Sequence, residues 1–289
     1  MTTNKYAELN DSSYFEIGGS ERNSFLQGLI TNDINKCTEN KSIYSAFLSP
    51  QGKFIADFFI INSGKTLIFE THKKFTDELI KKMNFYKLRS DVYINKINSY
   101  RSIVIYEQNK IFDKLILAGD LQKIDWGFVF LDPRNSNMGL KASVKIDMYK
   151  IFCDHYKLKK YDMNDYEKKR IECNIPDSAL DLKVNKSLLL ENNYDSLNAI
   201  DWDKGCYIGQ ELTARMKYRA LIKKSLIKVK IVDGFVKPDD EVYYNDIRIG
   251  NVTSVNKDIG LAMLKLEYVQ NTKSLVKIFK TTSGKIKVY

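Results

Sequence analysis

Along the first hundred residues the apolar positions switch between the two-residue period of strands and the 3.6-residue period of helices. Residues 14–17 read as a strand, Gly18-Gly19 as a turn, and Ser20 as the N-cap of a helix that sets Phe25, Leu26, Leu29 and Ile30 on one face. Residues 43–48 and 54–61 flank Ser49-Pro50-Gln51-Gly52, whose turn chemistry predicts a hairpin. A strand over 66–70 leads into a helix on which Phe75, Leu79, Ile80, Met83 and Tyr86 recur at helical spacing, with His72 starting or capping it. Residues 91–97 follow as a strand. Strand, helix, two or three strands, helix, strand is the split βαβ pattern.

A second, less regular round runs from 101 to about 224, with strands over 101–107 and 127–131 and helices over 111–117, 147–156 and 164–173, the last ending ahead of Ile175-Pro176. Residues 174–203 are too long a stretch for a simple connector, and loops of that length are usually functional or ordered by a partner. From Ser225 the pattern changes to short alternating strands, over 226–232, 241–244, 247–255, 260–266 and 274–279, which predicts a small β-barrel or sandwich. The expected organisation is 1–100 and 101–224, two α+β parts able to interleave, followed by a terminal β domain over 225–289.

Composition narrows the class. The chain is 44% hydrophobic and 28% charged over 289 residues, enough to bury a substantial core. Its longest apolar runs, 54–61 and 226–232, are strand-length and broken by charge, so no helical membrane span is expected. Met1-Thr2-Thr3-Asn4-Lys5-Tyr6 has neither the apolar run of a secretion signal nor an arginine-rich amphipathic start, which makes the cytoplasm the expected location. Cys37, Cys153, Cys173 and Cys206 form no C-x-x-C pair, and the histidines are His72 and His155 alone. No metal site is therefore expected from local spacing, and the scattered thiols suit a reducing compartment. The net charge of +10 invites a nucleic-acid partner, but the lysines are sprinkled through the chain, so direct nucleic-acid binding is not expected. The one dense patch, Arg215, Lys217, Arg219, Lys223 and Lys224, reads either as a solvated helix end or as a site for an anionic tail.

The densest chemistry lies in Lys204-Gly205-Cys206-Tyr207-Ile208-Gly209-Gln210-Glu211. A lysine two residues before a thiol favours the thiolate, as does a position at the mouth of a helix, here predicted over 207–217. Gly205 allows a sharp turn, and Gly209 allows another backbone or a flat ligand to come close. Gln210 and Glu211 either satisfy their own first helical turn or bind a pterin, whose edge offers adjacent N–H donors to a carboxylate. Glu172 has the same two readings, with an ion pair to Arg170 as the local one. Asp33 and Asp57 read first as cap and strand-end residues and second as proton acceptors. No Ser-His-Asp set, P-loop or G-x-G-x-x-G is present.

This block resembles K-G-C-[FY]-x-G-Q-E, the signature of the YgfZ family, folate-binding relatives of the glycine-cleavage T-protein that support iron–sulfur enzymes. The resemblance extends to Phe25-Leu26-Gln27-Gly28, Thr31-Asn32-Asp33, Ser49-Pro50-Gln51-Gly52-Lys53, Lys87-Leu88-Arg89, Leu131-Asp132-Pro133-Arg134, Arg170-Ile171-Glu172, Leu190-Glu191-Asn192 and Thr213-Ala214-Arg215, nearly the whole chain. It implies an α+β protein of two ferredoxin-like halves around a central cavity for tetrahydrofolate or a related reduced folate, with a C-terminal barrel. It also implies a role in assembly or repair of [4Fe–4S] proteins, including cluster enzymes that modify tRNA. The implied partners are folate and cluster-assembly proteins or client enzymes, and the expected state is a monomer. Cys206 and Lys204 would carry the chemistry, with Glu172, Arg170, Tyr207, Gln210, Glu211, Arg215 and Arg89 toward folate. The alternative is a folate-dependent aminomethyl or methyl transferase.

Overall fold

The computed structural model describes residues 4–106, 112–270 and 277–288. Strand β1 (Lys5–Glu8) is followed by β2 (Ser12–Gly18), helix α1 (Arg22–Gln27), β3 (Ile43–Leu48), β4 (Phe54–Asn62), β5 (Leu67–His72), α2 (Lys73–Lys87) and β6 (Tyr93–Ile97). These form an antiparallel sheet in the order β3-β4-β5-β2-β6. β3 is buried along its whole length and β4 up to its last residue, as expected of strands covered on both faces. The apolar stripe of α2 covers one face, its Phe75 ring edge-on to Phe54, and His72 caps the helix by accepting from the Lys74 amide at 3.0 Å. Ser20 does not cap α1. Its hydroxyl and its amide both go to Asp91, a carboxylate 71 residues further along the chain, and the helix starts at Arg22.

The second half contains β7 (Tyr100–Tyr106), β8 (Leu121–Ile124), β9 (Gly127–Leu131), β10 (Leu140–Lys145), α3 (Tyr149–His155), β11 (Lys159–Lys160), α4 (Met163–Glu172) and α5 (Gln210–Tyr218). Its sheet runs β11-β1-β7-β10-β9-β8. Apart from β1, this repeats the strand order of the first sheet, so the halves share one plan without visible sequence identity. β1 is donated by the N-terminal end, antiparallel to β7 and parallel to β11. The helix expected over 111–117 is absent from the described part of that segment, residue 111 lying outside the described residues. Asp120 Oδ2 instead accepts from the amides of Ile116 and Leu117, at 3.0 and 2.7 Å, and holds the chain in turns. Residue 107, the expected end of the preceding strand, also lies outside the described residues.

Residues 174–203 are irregular, as expected, and pack on the first half. Phe54 exchanges backbone hydrogen bonds with Ser187 and Asn185, and the Tyr194 ring stacks 5.8 Å from that of Tyr44. β12 (Lys224–Gly234), β13 (Glu241–Tyr244), β14 (Ile247–Asn256), β15 (Ile259–Lys265), the short helix α6 (Leu266–Gln270), β16 (Lys277–Thr281) and β17 (Gly284–Val288) complete the chain. The strands close a six-stranded barrel in the order β12-β15-β14-β13-β16-β17, of which the expected residues 274–276 lie outside the described set. The barrel docks on α4 through Ile171, Leu226 and Leu261 and through the Arg170 guanidinium, which donates to Ser254 at 3.1 Å. Among the described residues no helix is long and apolar enough to cross a membrane.

Candidate functional site: a central cavity and the signature loop

Between the two sheets and α4 lies a cavity of about 290 Å³. Strand alternation aims charged side chains of β4, β5 and β10 into it. Glu70 of β5 and Lys141 of β10 meet there at 2.9 Å, both almost fully buried. Ser12 and Ser102 donate to the same carboxylate oxygen at 2.8 and 2.6 Å. The other oxygen, Glu70 Oε2, is buried without a hydrogen-bond partner among the described residues. A buried carboxylate oxygen left without a donor requires an explanation, and a ligand N–H supplies one. Lys141 Nζ also sits 4.5 Å over the Phe59 ring.

Asp57 of β4 accepts from the hydroxyls of Tyr44 and of Tyr194, the latter at 2.8 Å. Burial first and the Asp57 charge second push both phenols well above their ordinary range, so they stay protonated donors at any working pH. Arg134 grips Asp132 with two nitrogens, at 3.0 and 2.7 Å, and lies 4.8 Å over Phe59. Burial works against its charge, and the attraction of Asp132 more than offsets this. Arg170 closes another wall, bonded to Glu167 (2.7 Å), Asp181 (3.0 Å) and the Ile175 carbonyl (2.8 Å).

The signature block lies outside this cavity. Its helix begins at Gln210 rather than at 207, because Gly209 takes a left-handed conformation (φ +81°) at the N-cap. Cys206 is exposed and stands four residues ahead of the first helical residue, clear of the helix mouth. Lys204 is buried, and its ammonium donates to the carbonyls of Ile30 (2.7 Å) and Asn32 (2.8 Å). Those bonds, with Ile208 N to Gly28 O at 3.0 Å and Asp201 N to Thr31 O at 3.0 Å, zip the signature loop onto residues 28–32, another segment of the family resemblance. Gly205 has open space around it and is not demanded by packing, whereas Gly209 faces Ser49 O and the Gly52 backbone. The close approach that Gly209 permits is thus to the hairpin turn, not to a ligand.

Burial pushes the Lys204 ammonium down to about 8, with Asp33 and Asp201 pulling the other way. The folded value lies below the ordinary 10.5, so the unfolded chain binds more protons between about 8 and 10.5 and stability rises with pH in that window. Relative to Lys204→Met, the native chain should gain stability from pH 8 to 10.5 in urea titrations. A flat difference would show that the ammonium is not desolvated.

Of the nine expected site residues only Arg170 lines the cavity. Glu172 is exposed. Two residues on from Arg170, it is turned by about 200° around α4, whereas Glu167, three residues back, shares the face of Arg170. Gln210 Oε1 accepts from the Tyr207 amide at 3.3 Å, the local capping alternative. Tyr207 is buried beside Lys204, and its hydroxyl has no partner among the described residues. Glu211 and Arg215 are exposed on α5, and Arg89 is exposed in the connection from α2 to β6. Asp33 caps the turn at Ile34–Lys36. Glu70, Lys141 and Arg134 were not singled out for chemistry. Glu70 follows three apolar residues in β5, Lys141 alternates with apolar residues like a surface position, and Arg134 stands in an Asp-Pro-Arg read as a turn.

No protein-family model matches the chain. By sequence it is similar to an iron–sulfur cluster assembly factor IBA57 homolog, mitochondrial, of Dictyostelium discoideum, 29% identical over 254 residues that cover 76% of this chain and 61% of the relative. The corresponding mitochondrial protein of Mus musculus is 26% identical over 239 residues, 77% of this chain and 65% of the relative. The chain spans about three-fifths of the length of these relatives. By structure it is similar to the glycine cleavage system aminomethyltransferase T from Bartonella henselae, with a TM-score of 0.80 over 99% of this chain and 84% of that one at 8% identity. That likeness establishes the fold, α+β with a terminal closed barrel, as expected. The cytoplasmic expectation is overturned, since the relatives are mitochondrial by name. It rested on the composition of six residues, too short a stretch to define a compartment.

Proposed function

We propose that this chain is a reduced-folate-binding factor that supports assembly or repair of iron–sulfur proteins, [4Fe–4S] enzymes that modify tRNA among its clients, in a mitochondrial setting. The observation that carries the folate part is the unpartnered Glu70 Oε2 in a cavity that also presents Asp57, Lys141 and aromatic walls. The names of the relatives support the cluster-assembly part. The residues fit a pterin: Glu70 takes ring N–H donors, Tyr44 and Phe59 line the apolar wall, and Tyr44 and Tyr194 hold Asp57 in place. About 290 Å³ falls just below the usual range of roughly 300–1,000 Å³ for small-molecule sites, suited to a bicyclic ring with its tail leading out. Bound tetrahydrofolate would supply a carrier for one-carbon units. Cys206 is the exposed thiol available for exchange with a partner, and Lys204 is its loop anchor.

Tetrahydrofolate should stabilise the fold by about 2.7 kcal/mol at a hundredfold excess over Kd, read as a rise in Tm. No rise and no heat of binding at saturation would sink the folate reading. A labelled one-carbon donor tests the transferase alternative, which requires turnover. In the folded protein Cys206 should be alkylated fastest. Burial raises the thiols of Cys153 and Cys173 and pushes that of Cys37 up to about 12, so Cys37 should be slowest. Mass spectrometry of a timed iodoacetamide reaction gives the order. In a strain lacking its own homologue, Cys206→Ala should fail to restore several [4Fe–4S] enzymes together, and full restoration would remove Cys206 from the mechanism.

A further inference from the structure

The outer wall of the barrel carries a pattern that neither the central cavity nor the signature loop accounts for. The register of β12, β17 and β16 sets Lys230, Lys287 and Ile278 in one cross-strand row and Asp233, Lys285 and Lys280 in another. Ile286 and Phe279, in the row between, are buried inside the barrel, so these two rows face outward. The bulge between Ile231 and Asp233 adds Val232 to the exposed side. The barrel docks on α4 through β14, β15 and the start of β12, and in the closed ring β16 and β17 lie opposite β15 and β14. This wall is therefore turned away from the rest of the chain.

Its charge is one-sided. Residues 277–288 hold four lysines and no Asp or Glu. Lys230 and Lys285 find exposed carboxylates, Asp258 at 4.0 Å and Asp233 at 3.0 Å, and such pairs hold charge weakly. No salt bridge closes on Lys237 or Lys280 among the described residues. At the end of β12, Phe235 is 84% exposed, yet its backbone is fixed on both sides. Its amide donates to the Ser283 carbonyl at 3.1 Å, and the Ser283 hydroxyl reaches its carbonyl at 2.7 Å. Gly234 just before it has no room for a side chain, since a Cβ there would stand 2.3 Å from Ser283 O, and Val236 just after it is buried. A scattered exposed apolar residue needs no explanation. A ring held out in water by a pinned turn, on a basic wall, has one.

The wall fits an anionic surface, and its residue types say which. Nucleic acids are read by arginine forks and side-chain amides, and residues 230–237 and 277–288 contain no Arg, Asn or Gln. A protein partner needs a contiguous apolar centre, whereas here lysines separate Ile278 from Val232 and Phe235. A second copy would set lysines against lysines. A bilayer surface requires neither a groove nor a matching shape: apolar tips enter the headgroup layer, lysine stems lie along it and their ammonium heads meet lipid phosphates. We propose that the outer wall of β12, β17 and β16 is a peripheral contact for anionic membrane lipids, with Phe235 as the inserted anchor. It stands independently of the folate reading.

The full chain should sediment with vesicles of phosphatidylcholine and phosphatidylglycerol but not with phosphatidylcholine alone, and the bound fraction should fall as salt rises. Phe235→Ser should weaken partition about tenfold, and Lys237→Glu combined with Lys280→Glu by at least as much. Tm should not move in either variant, because all three side chains are exposed. Phe235→Trp should retain binding and add an emission that shifts to the blue on the anionic vesicles, read against the native chain with Trp126 and Trp202 alone. Equal binding to both vesicle types, or native-like binding by Phe235→Ser, overturns the proposal. Capture of single-stranded RNA or polyglutamate without partition onto vesicles overturns it too, and assigns the wall to those polyanions.

Discussion

Lys141→Met should destabilise the fold by about 3–5 kcal/mol, and adding Glu70→Gln should restore most of that loss. Neither side chain reaches water, with 1% and 2% of their surface exposed, and they face each other at 2.9 Å. Removing the ammonium alone strands a carboxylate that keeps the hydroxyls of Ser12 and Ser102. Removing both charges leaves a neutral amide those hydroxyls still satisfy, so the penalty is in the broken pair rather than in losing the pair. Urea titration of the two single variants and the double gives the coupling. A coupling below about 0.5 kcal/mol would mean that the pair is solvated and the cavity wall is misplaced. The double variant should also lose its thermal response to tetrahydrofolate, since the acceptor proposed for the ring is gone.

Gly209→Ala should cost about 3 kcal/mol or more, while Gly205→Ala, four residues away in the same motif, should stay within about 0.5 kcal/mol. A Cβ on Gly209 would stand 2.4 Å from Ser49 O and 3.1 Å from Gly52 Cα, backbone atoms that cannot swing away, and φ of +81° adds strain for any L side chain. A Cβ on Gly205 meets nothing within 4 Å. Thermal melts of the two variants separate the cases. Equal losses would show that the loop does not seat on the hairpin turn. The contact is mutual, since a Cβ on Gly52 would meet Gly209 O at 2.9 Å, and Gly52→Ala should behave like Gly209→Ala.

The elements legible in the sequence are those whose pattern reflects one local environment. The stripe of α2 and the Ser49–Gly52 hairpin are of this kind, and so are the barrel strands over 226–265. Strand β10 was missed because its burial is tertiary: Lys141 and Ser143 look like surface positions, yet both are buried, Lys141 against Glu70 and Ser143 against Tyr14. The Lys5–Glu8 strand was missed because its partners lie far along the chain. The candidate site divides in the same way. The signature loop is a local motif and could be read. The cavity is assembled from Tyr44, Asp57, Glu70, Arg134 and Lys141, with the central pair 71 residues apart, and no local spacing announces it. Arg170 is legible because it stands in a recognisable segment, but Glu172 in the same segment falls on the opposite face of α4, which identity of the motif alone does not reveal.

Strand β1 pairs Lys5 with Tyr106 on one side and with Lys159 on the other. During synthesis it therefore leaves the ribosome about a hundred residues ahead of β7 and some fifty more ahead of β11, and waits through the emergence of the entire first sheet. A strand held unpaired that long exposes open amides and carbonyls to whatever extended segment is nearby. Among the strand pairings, closure of the second sheet has the highest sequence separation, and by that measure it is the slowest of them. Vectorial production thus hands the first sheet its own strands in order, but lets the second be finished only by a segment made before either.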